Sequence, residues 1–144
     1  MVSIKIKKLD PCATVPTYAH DGDAGMDMMA CLPDSPWRLW PGDTIMIPTG
    51  IAMEIQPGYF GSARERSGLA VKGLRLGGGV IDSGYRGEVK GILTNLSKTA
   101  IDINHGDKIF QIVIQPCERG VFLEVEKFES ETARGAAGFG STGA

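Results

Sequence analysis

The segment Gly77-Gly-Gly-Val-Ile-Asp-Ser-Gly-Tyr-Arg-Gly-Glu88 places a carboxylate, Asp82, and a phenol, Tyr85, after three consecutive glycines. A carboxylate held in a turn can act as a base toward a water within hydrogen-bond reach. Glycine lets the backbone come close to whatever the turn surrounds. Taken alone, the segment favours a β-turn with a solvated Asp and a packed Tyr. Arg64-Glu-Arg-Ser-Gly-Leu-Ala70 offers guanidinium, hydroxyl and backbone N–H groups at a helix start, the ligands phosphate prefers. Alone, it is equally a capped helix with a surface Arg. Asp27, in Ala24-Gly-Met-Asp27, is an acid after a flexible turn, or simply an Asp at a strand entry. Gln111 shares by alternation the face of Ile109 and Val113, so its amide must find a partner there. The end of the chain, residues 130–144, holds Arg134, Phe139, Ser141 and Thr142 among glycines. Those are anion-binding and stacking groups on a flexible backbone, or else a frayed tail. A P-loop is excluded, because GxxxxGK[ST] is missing.

The elements that must position these groups read as strands. Short apolar runs are broken about every ten residues by Gly, Pro or Asp, the pattern of an all-β domain. Expected strands are Ile4–Leu9, Trp37–Leu39, Asp43–Pro48, Ile51–Ile55, Tyr59–Ala63, Gly79–Ile81, Gly87–Asn95, Ala100–Ile103, Lys108–Gln115 and Val121–Glu124. Gly79–Ile81 and Gly87–Ile92 are expected as two arms of a hairpin turning at Asp82–Arg86, and Asn104–Asp107 as the turn of another. Ser67–Gly73 is the one expected helix, with Ser67 as its cap. The architecture is a sandwich or jelly-roll-like β-domain over 1–129, followed by a Gly-rich arm over 130–144.

Composition narrows the function. With 144 residues the chain fits one domain. Fifteen basic against 17 acidic residues give a net charge of -2, which disfavours a nucleic-acid binder. No apolar run reaches the ~20 residues of a transmembrane helix. The alternating N-terminus reads as a strand and not as a signal peptide. Three cysteines, Cys12, Cys31 and Cys117, are widely spaced, which points to reduced thiols in a cytosol-like compartment. His20 and His105 stand isolated. Glycine is the outlier at 20 residues: eight lie between Gly68 and Gly91 and four between Gly135 and Gly143.

Read in order, five segments resemble the motifs of the trimeric dUTP pyrophosphatases (dUTPases). They are Ala24-Gly-Met-Asp-Met-Met, Arg66-Ser-Gly-Leu-Ala, Gly79-Val-Ile-Asp-Ser-Gly-Tyr-Arg-Gly-Glu, Gly106-Asp-Lys-Ile-Phe-Gln, and Arg134-Gly-Ala-Ala-Gly-Phe-Gly-Ser-Thr-Gly. The match runs from Ile4 to Gly143. The resemblance implies a distorted jelly-roll-like β-barrel or sandwich of the β-clip type. It also implies a homotrimer with shared active sites, Mg²⁺ as cofactor, dUTP as substrate, no nucleic-acid or membrane partner, and a cytoplasmic location (a host-cell cytosol or nucleus for a viral member).

The resemblance also implies roles. Asp82 would orient and deprotonate the attacking water, with Gln111 and Arg66 beside the reacting phosphate. Tyr85 would lie under the deoxyribose and leave no room for a 2′-hydroxyl. Main-chain groups of Gly79, Val80 and Ile81, with those near Lys90, would read the uracil edge. Arg66, Ser67 and Gly68 would bind phosphate, and Asp27 would support Mg²⁺ through water. Arg134 would meet the γ-phosphate, Phe139 would stack over uracil, and Gly140, Ser141 and Thr142 would close on the phosphates. The chain departs from the family pattern at Met26, Glu65, Leu76, Phe110 and Ala137. Leu76 stands where many members place an Asn that helps hold uracil, leaving recognition to the main chain. Glu65 replaces a frequent Pro beside phosphate ligands, so it is expected to point away from them. A deoxycytidine triphosphate deaminase of related fold is disfavoured by the complete fifth motif and Tyr85. A non-catalytic nucleotide-binding module is disfavoured by the intact Asp82, Gln111 and Arg134.

Overall fold

The computed structural model of the chain describes residues 2–34, 36–132 and 135–136. In chain order its elements are β1 (Ile4–Lys8), β2 (Gly25–Met29), β3 (Trp37–Leu39), β4 (Thr44–Ile47), β5 (Ile51–Ile55), β6 (Tyr59–Arg64), α1 (Ser67–Val71), β7 (Leu74–Gly77), β8 (Val80–Ile81), β9 (Gly91–Asn95), β10 (Ile101–Ile103) and β11 (Lys108–Pro116). The strands form four sheets: β1-β5, β10-β3, β2-β11-β6-β8 and β4-β9-β7. All pairings are antiparallel. The all-β expectation with one short helix holds, and among the described residues no sheet closes into a barrel.

The core lies where the inward faces of these sheets meet. Phe110, Leu39, Ile47, Ile51 and Ile112 are fully buried there. Burying each such side chain stabilises the fold by roughly 1.5–3 kcal/mol. Asn95, a wholly buried amide, ties the sheets together: its Nδ2 donates to the carbonyls of Leu39 and Thr99, both at 2.9 Å. At the surface, Arg38 on β3 grips Asp102 on β10 through two 2.7 Å bonds. That hydrogen bonding from Arg38 lowers the Asp102 carboxyl below its ordinary value.

Several expectations need correction. Val80–Ile81 does not form a hairpin with the following strand; β8 pairs with β6, and β9 is sandwiched between β4 and β7. Asn104–Asp107 does turn the chain, with Asn104 N–H donating to the Asp107 carboxylate at 2.8 Å. Its flanking strands nevertheless pair elsewhere, β10 with β3 and β11 with β2 and β6. A turn reverses the chain, while the sheet partners are chosen by where apolar faces meet the core. The cap of α1 is Arg66, and no side chain bonds to the helix start. Val121–Glu124 is not a strand. Val121, Phe122, Leu123, Val125 and Phe128 stand exposed and pair with none of the described strands. Two strands, β2 and β7, have no counterpart among the expected ones.

The cysteines also differ from expectation. Cys12 and Cys31 are joined in a disulfide across a sequence separation of 19, and only Cys117 is free. The loop after β1 returns Cys12 against the end of β2, with Cα atoms 6.4 Å apart, a distance a disulfide spans. Nor are the histidines isolated: His20 lies 3.4 Å from Asp23, and His105 Nδ1 accepts the N–H of Leu32 at 3.2 Å. Among the described residues no helix is long and apolar enough to cross a membrane.

Candidate active site

Two clefts gather most of the residues singled out by sequence. The first, of about 540 Å³, is bordered by the Gly77–Asp82 backbone, Tyr85, Lys90 and an apolar wall of Met46, Leu76 and Ile92. Its size is that of a small-molecule site. The strand β7 ends at Gly77, and the chain must then cross to the edge of β6. Gly78 and Gly79 make that crossing at φ of 73° and 147°, conformations that side chains disfavour. Gly79 O accepts the N–H of Ala63 at 2.8 Å, which fastens the rim of the cleft to β6. Asp82 then turns the chain, its carbonyl accepting Tyr85 N–H at 3.0 Å. Tyr85 is fixed in turn by its hydroxyl, which donates to Glu88 O at 3.0 Å. Asp82 and Tyr85 thus border one cleft, as expected, although a turn between β8 and a non-partner strand places them there and not a hairpin.

The second cleft, of about 520 Å³, is lined by Asp27, Arg66, Ser67, Gly68, Lys108 and Gln111, with Ala19, His20, Asp23 and Ala24 on its outer wall. Asp27 is 9% exposed and sits at the centre of a charge cluster. Its Oδ1 lies 2.9 Å from Arg66 Nε and its Oδ2 2.7 Å from Lys108 Nζ. Arg66 also donates to Lys108 O at 3.2 Å. Two cations surround the Asp27 carboxylate at the inner end of the cleft, and Asp23 on the outer wall supplies the second carboxylate. The first N–H groups of α1, those of Ser67 and Gly68, lie at the same rim, where a helix start has no acceptors of its own. Gln111 has the partner its position demands: its Nε2 donates to Glu65 O at 3.0 Å. The amide fits because its diagonal neighbour on β2 is Gly25, where a Cβ would stand 2.9 Å from Gln111 Cδ.

Lys108 is the charged side chain of this cleft that sequence reading missed. Strict alternation sends residues 108 and 111 to opposite faces of a strand. The register of β11 against β2 shifts between Lys108 and Phe110, and such a bulge re-aims a side chain. Lys108 and Gln111 therefore line the same cleft. The Glu65 side chain turns away from the cleft that Arg66, Ser67 and Gly68 line, as expected. Its Oε1 accepts Leu76 N–H at 3.1 Å and lies 3.2 Å from Arg75 Nε.

The two clefts have no lining residue in common, so the chain does not bring Asp82 beside Gln111 and Arg66 in one cleft. Arg134, Phe139, Gly140, Ser141 and Thr142 lie outside the described residues. Asp27 offers the hard oxygen donors Mg²⁺ requires, but both oxygens are engaged by cations, and the described residues hold no group of three carboxylates. Such a donor set suits an ion that arrives on phosphate oxygens and keeps its waters.

Similarity to known proteins agrees with this geometry. The dUTPase family model matches residues 12–143. A deoxyuridine 5′-triphosphate nucleotidohydrolase of Rhodococcus erythropolis is 46% identical, over 99% of this chain and 87% of its own length. Among solved structures, the dUTPase of Staphylococcus bacteriophage 80alpha with dUpNHpp superposes with a TM-score of 0.90 at 29% identity, covering 99% of both chains. A mutant dUTPase of phage phi11 of S. aureus, in which a structural Mg(II) ion is coordinated, superposes with a TM-score of 0.81 at 28% identity, over 89% of this chain and 99% of the other. The protein belongs to the dUTPase family.

Proposed function

We propose that the chain hydrolyses dUTP to dUMP and pyrophosphate, which removes a uracil precursor from DNA synthesis and supplies dUMP for dTMP. One observation supports this most: a backbone-lined cleft holding Asp82 and Tyr85 accompanies a second cleft holding Arg66, Ser67, Gly68, Lys108 and Gln111. The first suits a flat base and its sugar. The backbone of Gly79–Ile81 complements the uracil edge and excludes larger bases by fit, with the apolar Leu76 where a polar side chain is common. Tyr85 stacks under the deoxyribose. The second cleft suits a triphosphate, whose transfer chemistry needs donors aimed at developing charge. Asp82 orients the water and takes its proton as the water attacks the α-phosphorus. Gln111 and Arg66 hold the phosphoryl oxygens. When phosphates enter, Arg66 and Lys108 face a second anion besides Asp27, and the Asp27 carboxylate would then be the residue that helps hold Mg²⁺. Mg²⁺ would neutralise triphosphate charge during the transfer.

Separation of the two clefts supports a homotrimer with sites shared between subunits, because another copy can bring its second cleft to the first cleft of its neighbour. The exposed apolar run from Val121 to Phe128 supports the same reading, as a segment made to lie on another chain. The domain would span 1–129, with 130–144 as an arm whose Arg134, Phe139, Gly140, Ser141 and Thr142 close on the nucleotide, in a cytoplasmic setting. A nucleotide panel followed for pyrophosphate release, with and without Mg²⁺, tests the function. Release from dUTP and little from dTTP, dCTP or UTP is expected; ammonia release from dCTP, or binding without turnover, refutes it.

A further inference from the structure

We propose that Cys12 and Cys31 form a reversible thiol–disulfide site whose oxidation state sets how firmly one wall of the phosphate cleft is held. Neither sulfur lines either nucleotide cleft. The site is built at close quarters. Gly50 passes against it at φ +66°, where a Cβ would lie 2.7 Å from Ala13 Cβ and 3.2 Å from Cys31 Sγ. His105 brings a ring nitrogen within 4.8 Å of the sulfurs, its Nδ1 accepting the N–H of Leu32, so the ring packs beside the pair as a neutral imidazole. A cleft beside Cys31, of about 340 Å³, is bordered by Asp10, Asp34 and Glu88. Those carboxylates favour neutral reagents over anionic ones.

The chemistry balances without any group from the nucleotide site. The Cys12 thiolate, from the more accessible cysteine, attacks one sulfur of a low-molecular-weight disulfide. The reagent's S–S bond breaks, and half of it leaves as a thiol. The Cys31 thiolate attacks Sγ of Cys12 in the mixed disulfide and expels the other half. Two electrons pass from the cysteine pair to the reagent, and the two cysteine protons end on the two released thiols. A dithiol reverses the sequence.

The consequence follows from what each end is tied to. Cys31 stays in place without the bond, since its N–H donates to Pro48 O at 2.8 Å and the preceding β2 is paired with β11. The intervening segment is loosely held. Between Thr14 and Ala24 its backbone ties are the Thr17–Asp27 bridge and the His20–Asp23 turn. Ala19, His20, Asp23 and Ala24 of this segment form the outer wall of the phosphate cleft. At the near end of that wall the disulfide adds to the Asp10 turn, which accepts the N–H groups of Cys12 and Ala13, and to buried Ala13, so reduction loosens that end without freeing it.

The test uses the full chain in buffers poised with oxidised or reduced dithiothreitol, a neutral probe. Alkylation and mass mapping should find one reactive thiol, Cys117, after oxidation and three after reduction, interconverting reversibly. Limited proteolysis between residues 14 and 24 should run several-fold faster on the reduced protein. On the proposed dUTP reaction, reduction should raise KM several-fold. The C12S and C31S variants should behave as reduced in every buffer, and C117S as wild type. Three reactive thiols in every buffer, equal proteolysis rates, or one zinc ion protecting both thiols in place of a disulfide would overturn the proposal. The thiol count and the proteolysis do not depend on turnover, so failure of the dUTP reading would show separately.

Discussion

Glu65 holds Leu76 across the two halves of the site: its Oε1 accepts Leu76 N–H at 3.1 Å, on the strand that borders the backbone-lined cleft. From the other side its own carbonyl accepts the amide of Gln111 in the second cleft. One residue thus joins the β7 edge to β11. Glu65→Ala should orphan the Leu76 N–H, cost about 1 kcal/mol of stability and raise KM for dUTP roughly fivefold with a smaller change in kcat. Glu65→Gln, which keeps an acceptor, should recover most of both. Denaturant unfolding and steady-state kinetics on the two variants measure this; equal KM for Glu65→Ala and wild type would remove the link.

Asp27 is neutralised twice, by Arg66 and by Lys108, which separates folding from function at this position. Arg66→Ala leaves Asp27 its bond to Lys108, so the fold should persist with a loss of about 1 kcal/mol. Activity should fall by about 10² or more, the usual cost of losing a charge-stabilising donor. Asp27→Asn leaves two cations without their anion and should lower stability more than Arg66→Ala does. Thermal melts and pyrophosphate release distinguish the two effects.

Asp82 makes no side-chain hydrogen bond or ion pair among the described residues, so replacing it should spare the fold. Asp82→Asn should retain dUTP binding and lose about 10³ in kcat, within the range for removing a general base. Calorimetric titration with a non-hydrolysable dUTP analogue, beside turnover, separates the two. Near-normal turnover would assign the base elsewhere.

Removing the residues after Ser130 should leave the melting temperature unchanged, because the buried core ends with β11. Activity should drop by orders of magnitude if the arm completes the site and excludes water. Unchanged activity in the shortened chain would refute the closing arm.

How much is legible beforehand depends on how local each signal is. β1, with Ile4 and Ile6 inward and lysines outward, shows plain alternation and is readable to within a residue. β2 escapes because Met26, Asp27 and Met28 are all buried, so both faces are covered and alternation disappears. Its one polar residue is inside only because Arg66 and Lys108 meet it there, and neither is near in sequence. Turn chemistry locates Asn104–Asp107 but carries no information on which strands pair, since β11 joins β2 and β6 by contacts far along the chain. The disulfide is invisible for the same reason: Cys12 and Cys31 meet through the path of a loop and the space at Gly50. Four of the five ordered segments border one or the other cleft, the candidate site residues of the fifth lying outside the described residues, while the bulge that turns Lys108 beside Gln111 has no residue signature.

The pairing of Asp27 opposite Gln111 has a kinetic meaning. The two lie far apart in sequence, so a chain emerging from the ribosome holds its acidic strand long before the strand that completes the phosphate cleft exists. Non-local pairing of this kind delays folding, because loop closure precedes the contacts that compensate for it. The cleft is therefore complete only once β11 has paired, and a chain ending before β11 lacks Lys108 and Gln111 from its lining.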